Sequence, residues 1–242
     1  MNKRFAACVI GSLTLISLTL LTGCAKKPNA SSSSNDPLEP YNRVMFAFDQ
    51  DVDHLIIRPT AIVYSKVTPP PLQQGVTNFF NNTFEITTFP NDLLQGNFKY
   101  LPVDFWRFVI NSTAGIGGLF DVATKVGIKP HIETFGLTLA KWRGGKSAPY
   151  FVVPIFGPST IQGAVGMGVD AVTTPWPYFK SNYITYIPPA VGLTSLRAEM
   201  LPADKLVATA FDPYVFVRDA YMQREKQRIA ANEKDTNGKS SQ

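Results

Sequence analysis

Apolar residues recur at the three- and four-residue spacing of an amphipathic helix in several parts of the chain. Three such faces are, in chain order, Val44, Met45, Phe48 and Val52; then Leu72, Val76, Phe79 and Phe80; then Leu101, Phe105, Phe108 and Val109. Prolines stand near the starts of these segments, and Asp212-Pro213 opens another that runs to a charged end near Lys234. The pattern predicts a mainly α fold of short helices separated by proline and glycine.

The first 24 residues follow a different pattern. Lys3 and Arg4 precede an apolar run diluted by serine and threonine, and the run ends at Leu21-Thr22-Gly23-Cys24. This order is typical of a secretory signal rather than of a spanning helix. Its end resembles the bacterial lipobox, in which the cysteine receives a diacylglycerol and becomes the new N-terminus. We expect residues 1–23 to be removed and Cys24 to be lipidated; an ordinary signal followed by a free cysteine is the alternative.

Residues beyond the signal divide into three parts by composition. Residues 24–35 contain four consecutive serines and predict a flexible tether behind the acylated N-terminus. Residues 36–231 carry the helical pattern and predict a single domain, and residues 232–242 predict a polar, disordered tail. Within the domain, residues 148–156 (APYFVVPIF) are compatible with a strand, which Pro149 and Pro154 would confine to a sheet edge or to an irregular segment.

Composition points away from nucleic acid and towards an apolar partner. The net charge is +5 without a dense run of Lys and Arg, so we expect no nucleic-acid binding. Charged residues make up 17% of the chain, below the usual share of about a quarter, while aromatic residues reach 12%. An aromatic-rich, charge-poor exterior indicates contact with lipid or a partner, and a large aromatic core is the alternative. No segment after the signal is apolar for long enough to span a bilayer as a helix.

One segment begins like a calcium-binding loop. Asp49, Asp51 and Asp53 carry the alternating carboxylates with which such a loop opens. His54, however, stands where the loop needs glycine, and Thr60 stands where it needs a bidentate glutamate. We therefore expect no calcium site.

Motifs for other chemistry are also incomplete. His54 and His131 are the two histidines, so a zinc site would need several carboxylates as ligands. Residues 157–160 (GPST) lack the trailing glycine of a G-x-S-x-G nucleophile motif. We expect no enzyme activity, no metal and no cofactor, although a serine–histidine pair assembled by the fold stays open at this point.

Longer stretches, collinear from Asp36 to Ile229, form a recognisable set. They include DPLEPYNR at 36–43, NFFNN at 78–82, LQG at 94–96, Arg107-Phe108, FGLTL at 135–139, GPS at 157–159 and DPY at 212–214. Together they resemble the MlaA/VacJ family of outer-membrane phospholipid-transport lipoproteins. The chain departs from the family pattern at Thr134, where an aspartate is usual, and at Gln162-Gly163, where Arg-Asp is usual.

The resemblance implies a ring of amphipathic helices around a central channel, lying on the periplasmic side of the outer membrane. It implies removal of misplaced phospholipids from the outer leaflet and their transfer to a soluble, MlaC-like periplasmic carrier. A trimeric porin is the implied membrane partner. A structural porin-associated lipoprotein is one alternative, and a lipid-acting hydrolase is another.

Two sets of residues suit such a channel. Candidates for the inner wall or for contact with the lipid headgroup are Asn42, Arg43, Arg58, Arg107 and Asn111. Candidates for the membrane rim are Phe46, Phe48, Phe79, Phe80, Phe105 and Trp106. Helix-end salt bridges compete with the first interpretation, and packing in a core competes with the second.

Overall fold

The computed structural model describes residues 36–236 and shows a helical protein with one small sheet. The predicted signal peptide, Cys24 and the predicted tether lie outside the described residues. The elements are, in order, α1 (Glu39–Val52), α2 (Arg58–Val67), α3 (Pro70–Gln95), α4 (Leu101–Thr113), α5 (Val122–Lys125), α6 (Phe135–Trp142), β1 (Tyr150–Val153), β2 (Gly157–Thr160), α7 (Ile161–Thr173), α8 (Asn182–Met200), α9 (Asp204–Thr209) and α10 (Pro213–Thr236). A π-helical turn, Asp53–Ile57, joins α1 to α2, and Trp176–Tyr178 and Leu201–Ala203 form 3₁₀ turns.

The helices predicted from apolar spacing are confirmed as α1, α3 and α4, and the helix predicted to open at Asp212-Pro213 is confirmed as α10. Prolines occupy the first turns of α1, α3 and α4, where their missing N–H would have no helical partner. Gly96, with φ +70°, ends α3 in the left-handed conformation that glycine adopts at low cost. Helix α3 has 26 residues and contains Pro90, so not every proline separates two helices.

The C-terminal boundary placed at residue 231 is too early. Helix α10 continues to Thr236, and Asn232 is buried. The Asn232 side-chain amide donates to Gln95 Oε1 at 2.5 Å, which fastens the end of α10 to the end of α3. Alanine, glutamate and lysine favour helix here, and the contact with α3 supplies the tertiary support that composition does not reveal.

Helix α3 packs against four other helices. It contacts α4, α6, α7 and α8, while α2 packs on α8 and α10 packs on α6. Strands β1 and β2 form an antiparallel hairpin that pairs Tyr150 with Thr160 and Val153 with Gly157. The predicted strand is thus confirmed, and Pro149 precedes it while Pro154 follows it.

Helices α6 and α7 approach each other through glycine. A Cβ built on Gly166 would lie 2.4 Å from the Gly136 backbone nitrogen, and one built on Gly136 would lie 3.1 Å from Gly163 Cα. Glycine at these positions therefore sets the distance between the two helices. Gly136, Gly163 and Gly166 thus let the backbones of α6 and α7 approach more closely than larger residues would allow.

Burial is inverted relative to an ordinary water-soluble domain. Among the described residues, nine apolar side chains are buried, whereas twenty-four polar or charged ones are buried. Thirty-nine large apolar side chains are instead exposed, Leu55 at 78% and Trp106 at 56% among them. Within residues 36–236 no helix combines the length and apolar character needed to cross a membrane. The apolar surface thus belongs to helices that are polar on their inner face.

Candidate functional site

A buried polar stripe runs along α3. Asn78, Asn82 and Glu85 follow one another at spacings of four and three residues and so share one helix face. Asn82 is 6% exposed and Glu85 is 3% exposed. Sequence reasoning on the apolar face of this helix missed the stripe, although the same helical spacing applied to polar residues would have found it.

Arg107 of α4 is the centre of the site. Its Nε donates to Glu85 Oε1 at 2.9 Å, and its Nη2 donates to Asp121 Oδ2 at 2.8 Å. Its Nη1 donates to Thr124 Oγ1 at 2.9 Å and to the Ile128 carbonyl oxygen at 2.7 Å. A guanidinium carries several donors in a fixed plane, which explains how one side chain holds α3, α5 and the loop after α5 together.

The carboxyl groups around Arg107 differ in their proton affinity. Burial, followed by the neighbouring Asp104, raises the pKa of Glu85 to about 7 although Arg107 opposes the shift. The pKa of Asp121 is lowered to about 2, because hydrogen bonds from Thr124 and Arg107 outweigh its burial. Asp121 is therefore ionised throughout the physiological pH range.

Asn111 is the second predicted wall residue at this site. Its Nδ2 donates to Asp121 Oδ1 at 3.2 Å, and its Oδ1 accepts from the Ala123 backbone N–H at 2.9 Å. Gly118, with φ +91°, lies in the loop between α4 and α5 and covers Asn82 so closely that a Cβ would fall 2.6 Å from Asn82 Cβ. The loop therefore closes one side of the site and needs glycine there.

These groups enclose a small polar cavity of about 50 Å³. Its lining includes Asn82, Glu85, Arg107, Asn111 and Asp121. An adjoining groove of about 540 Å³ has a mainly apolar lining, which includes Pro71, Leu72, Leu119, Phe120 and Lys125. Asn78 and Asp121 line both spaces, so the polar cavity opens next to the apolar groove.

A second polar cluster lies farther along the same helices. His131 Nδ1 lies 2.9 Å from Asp104 Oδ2, its Nε2 lies 3.2 Å from Glu133 Oε1, and its ring stacks on Tyr100 at 4.3 Å. Despite burial, the neighbouring carboxylates of Asp104 and Glu133 raise the pKa of His131 to about 10, so the ring is cationic. Burial and a hydrogen bond to Asp104 raise the pKa of Asp92 to about 8, so Asp92 is protonated at neutral pH.

Ligand atoms of Asp92, Asp104 and His131 lie within 4.8 Å of one another, which is close enough for a metal ion. The protonation states already reduce the net negative charge, because cationic His131 lies between Asp104 and Glu133, and Asp92 is neutral. The cluster ties α3 to α4, because His131 Nδ1 lies 3.9 Å from Asp92 Oδ1 of α3 and 2.9 Å from Asp104 Oδ2 of α4.

The other predicted wall residues lie elsewhere. Asn42 is fully buried, donates to the Tyr150 carbonyl oxygen at 3.0 Å and accepts from the Val152 N–H at 2.9 Å, so it fastens α1 to β1. Arg43 binds Glu39 and Asp212, each at 2.8 Å. Arg58 forms an ion pair at 2.9 Å with Asp204, the first residue of α9. The structure thus brings Arg107 and Asn111 together and leaves the other three apart from them.

The predicted rim residues fall into two groups. Phe48, Phe105 and Trp106 are exposed, at 45%, 49% and 56%. The other three are partly buried and make ring contacts: Phe46 with Tyr214 at 5.7 Å, and Phe79 and Phe80 with Trp176 at 6.1 and 6.3 Å. Their assignment to a membrane rim stays a prediction.

The acidic segment that begins like a calcium loop forms hydrogen bonds with other parts of the protein. Asp49 Oδ1 accepts from the Ile155 N–H at 2.6 Å, and both oxygens of Asp53 accept from Arg197 at 2.8 Å. Asp49 thus connects α1 to the β-hairpin, and Asp53 connects the π-helical turn to α8.

Comparison with known proteins decides the family. The family model described as MlaA lipoprotein matches residues 34–228. The chain belongs to this family. The MlaA proteins of Shigella flexneri and Escherichia coli K12, each named intermembrane phospholipid transport system lipoprotein, are 35% and 34% identical over 235 residues. In both cases the match covers 93% of this chain and 88% of the relative.

A solved structure supports the same conclusion. It comes from work described as "Structural basis for maintenance of bacterial outer membrane lipid asymmetry" and superposes with a TM-score of 0.67 at 33% identity. The match covers 80% of this chain and 98% of the solved one. The predicted mainly helical class and the predicted family are both confirmed, and the chain is a membrane-associated lipoprotein by family.

Proposed function

We propose that this chain is an outer-membrane lipoprotein that removes mislocalised phospholipids from the outer leaflet and passes them to a soluble periplasmic carrier. The observation that carries the proposal is the inverted burial, in which polar side chains fill the interior and large apolar ones cover the surface. Family membership supports it, since the S. flexneri and E. coli relatives are named for intermembrane phospholipid transport.

Physical chemistry explains why transport needs such a body. A phospholipid carries about 30 methylenes, and exposing them all to water costs on the order of 20 kcal/mol. Transfer of its charged headgroup into hydrocarbon also costs free energy. A carrier that moves the molecule must therefore offer polar groups to the headgroup while the tails stay in contact with apolar surface. The polar stripe of α3 beside an apolar groove supplies both.

We place the helices in a ring around a channel in the periplasmic leaflet of the outer membrane. Lipidated Cys24 would anchor the chain, because several acyl chains at about 0.8 kcal/mol per buried methylene bind a membrane durably. Exposed Phe48, Phe105 and Trp106 would form the rim that contacts acyl chains. Arg107 and Asn111 would belong to the inner wall. Transfer breaks no covalent bond, so the proposal assigns no catalytic residue and no cofactor.

Deletion of the gene tests the transport function in the native bacterium. We expect phospholipid to accumulate in the outer leaflet, measured by labelling of surface-exposed lipid, together with sensitivity to detergent. The wild-type gene should restore both, and a Cys24→Ala variant expressed at the same level should not. Unchanged surface phospholipid after deletion would contradict transport and favour a structural role.

Partners are tested by photo-crosslinking in cells from positions 79 and 106. Adducts with phospholipid, with a trimeric porin and with an MlaC-like carrier are expected. A probe at exposed Lys226 of α10 serves as a control for chance collisions. If the probe at 106 gives no lipid or porin adduct beyond this control, Trp106 is not part of a rim.

A further inference from the structure

Two hydrogen-bond acceptors in the polar cavity have no donor. Glu85 Oε2 and Asn82 Oδ1 are buried side-chain oxygens without a hydrogen-bond partner in the described structure. Both residues are more than nine-tenths buried, both line the cavity, and they lie three residues apart on the same face of α3. A buried acceptor left unpaired is costly, so two of them at one cavity indicate a ligand that donates hydrogen bonds.

The charge of the cavity favours a cation. The charge of Arg107 is balanced by ionised Asp121, and Glu85, whose pKa burial raises to about 7, supplies a second carboxyl group that an adjacent cation would ionise fully. Asn82, Asn111 and the backbone around them are neutral. A phosphate placed among these groups would meet two carboxyl groups and an arginine whose Nε, Nη1 and Nη2 already donate to protein atoms. A small cation would instead bring the charge towards balance.

The adjoining groove indicates that the ligand also carries an apolar group. It is mainly apolar, and its volume of about 540 Å³ lies within the range of ordinary ligand sites. Lys125 lines the groove and offers a positive charge beside its apolar walls. The two adjoining spaces therefore combine hydrogen-bond acceptors in the cavity with a cation and apolar side chains in the groove.

We infer that this site binds a phospholipid with a primary-amine headgroup, whose ammonium occupies the cavity between Glu85 and Asn82 and whose acyl chain lies in the groove. An ammonium group offers three N–H donors in a small volume, and a cavity of about 50 Å³ accommodates it. The phosphate of the same molecule is then available to Lys125. The inference rests on the proposed transport function and adds the headgroup that the route prefers.

The site distinguishes among headgroups by donors and size. A trimethylammonium group is cationic but has no N–H to donate and is larger than the cavity favours. A glycerol headgroup donates from hydroxyls but carries no positive charge for Glu85. Phosphatidylethanolamine carries both a positive charge and hydrogen-bond donors on its headgroup. Phosphatidylcholine lacks the donors, and phosphatidylglycerol lacks the positive charge.

Binding of water-soluble dihexanoyl lipids to the full mature lipoprotein in detergent tests the inference. Dihexanoyl phosphatidylethanolamine, phosphatidylcholine and phosphatidylglycerol are titrated separately, and the dissociation constants are compared. We expect the ethanolamine lipid to bind at least about tenfold more tightly than the other two, the usual worth of a buried hydrogen bond to a charged group. Equal affinity for all three would overturn the inference.

Three variants locate the preference. Glu85→Gln keeps the shape and the bond accepted from Arg107 but removes the negative charge, so the preference for the ethanolamine lipid should disappear. Asn82→Asp adds a negative charge at the second acceptor and should increase the preference, a result that partial unfolding cannot imitate. Asp51→Asn, at an exposed carboxyl group, should change nothing. A preference that survives Glu85→Gln and does not grow in Asn82→Asp would place the amine elsewhere.

Free ethanolamine, titrated alone, separates an amine-lipid site from an amine site. It should bind far more weakly than the lipid because it leaves the groove empty; equal binding would overturn the lipid part of the inference. The transport proposal fails differently. If wild-type protein binds the three lipids equally and still restores lipid asymmetry in the deletion strain, only the headgroup inference is wrong. If it binds no phospholipid and does not restore asymmetry, transport itself is wrong.

Discussion

Arg107 and Glu85 form an ion pair of 2.9 Å between side chains that are 4% and 3% exposed. The pair joins α4 to α3, and Asp121 binds the other side of the same guanidinium at 2.8 Å. Removing two ions from water is expensive, and their attraction offsets the expense only while the geometry is kept. The buried charges of Arg107 and Glu85 therefore stabilise the protein only as a pair, and loss of either side chain leaves the other charge buried without a partner.

Arg107→Leu should destabilise the protein strongly. It leaves Glu85 and Asp121 without their cation, and breaking a buried pair in this way costs about 3–5 kcal/mol of unfolding free energy. Chemical denaturation of the detergent-solubilised protein measures the change. The double variant Glu85→Gln/Arg107→Leu should lose less than the sum of the two single variants, because the uncompensated charge is smaller.

Arg58→Leu is the matched control for that experiment. Arg58 also pairs with an aspartate, Asp204, at 2.9 Å, but its side chain is 40% exposed. An exposed pair contributes about 0.2–1 kcal/mol, so this variant should lose less than about 1 kcal/mol. Equal losses in the two arginine variants would mean that burial does not decide the contribution of the pair.

Asp92→Asn should weaken the dependence of stability on pH. The pKa of Asp92 is raised in the folded protein to about 8 from 3.8, so between these values the folded state keeps a proton that the unfolded state releases. Its contribution is fully present below pH 3.8 and is lost as the pH rises through about 8. Unfolding free energy of the wild type should therefore fall over this window, by up to about 1.4 kcal/mol per pH unit from this group.

Asparagine cannot titrate, yet it can still donate a hydrogen bond to Asp104. The variant should therefore lose the part of the slope that Asp92 supplies, while the raised pKa values of Glu85 and His131 keep the rest. Denaturation at a series of pH values measures the slope. Asp51→Asn, at an exposed position, should leave the slope unchanged. An unaltered slope in Asp92→Asn would show that Asp92 is ionised in the folded protein.

Trp106 should contact acyl chains rather than water. Its side chain is 56% exposed next to Phe105, whereas Trp176 packs against the rings of Phe79 and Phe80. In variants that retain a single tryptophan, we expect lipids brominated on the acyl chain to quench Trp106 fluorescence more than Trp176 fluorescence. Acrylamide in the water should quench Trp106 weakly. Strong quenching by acrylamide with none by brominated lipid would place Trp106 in the aqueous phase.

Sequence patterns predicted the helices well because those patterns are local. The apolar spacing around Phe48 and Phe105 and the proline at the start of α3 each act within a few residues, so α1, α3 and α4 follow from them. The predicted helix end near Lys234 lies close to the observed end of α10, but the domain boundary was placed before Asn232, since its contact with Gln95 is formed only when the two helices pack.

The site was predicted only in part for the same physical reason. Arg107 and Asn111 were selected as polar residues on an amphipathic helix, but their partner Asp121 lies in the loop before α5. A lone aspartate in a loop carries no periodic signal. The asparagines of α3 do carry a periodic signal, because Asn78 and Asn82 are four residues apart and lie opposite an apolar face. A prediction based on the apolar residues alone does not include them.

Gly166→Ala should separate α6 from α7. Its new Cβ would lie 2.4 Å from the Gly136 nitrogen and 2.8 Å from Gly136 Cα, and both are backbone atoms that cannot rotate away. Overpacking of this kind costs about 1–3 kcal/mol, so the melting temperature should fall. Gly168→Ala, two residues along the same helix, meets nothing within 4 Å and should instead stabilise the helix by about 0.5–1 kcal/mol. The two substitutions are chemically identical, so opposite signs can come only from the close approach at Gly136, and the same sign in both would show that the helices do not touch there.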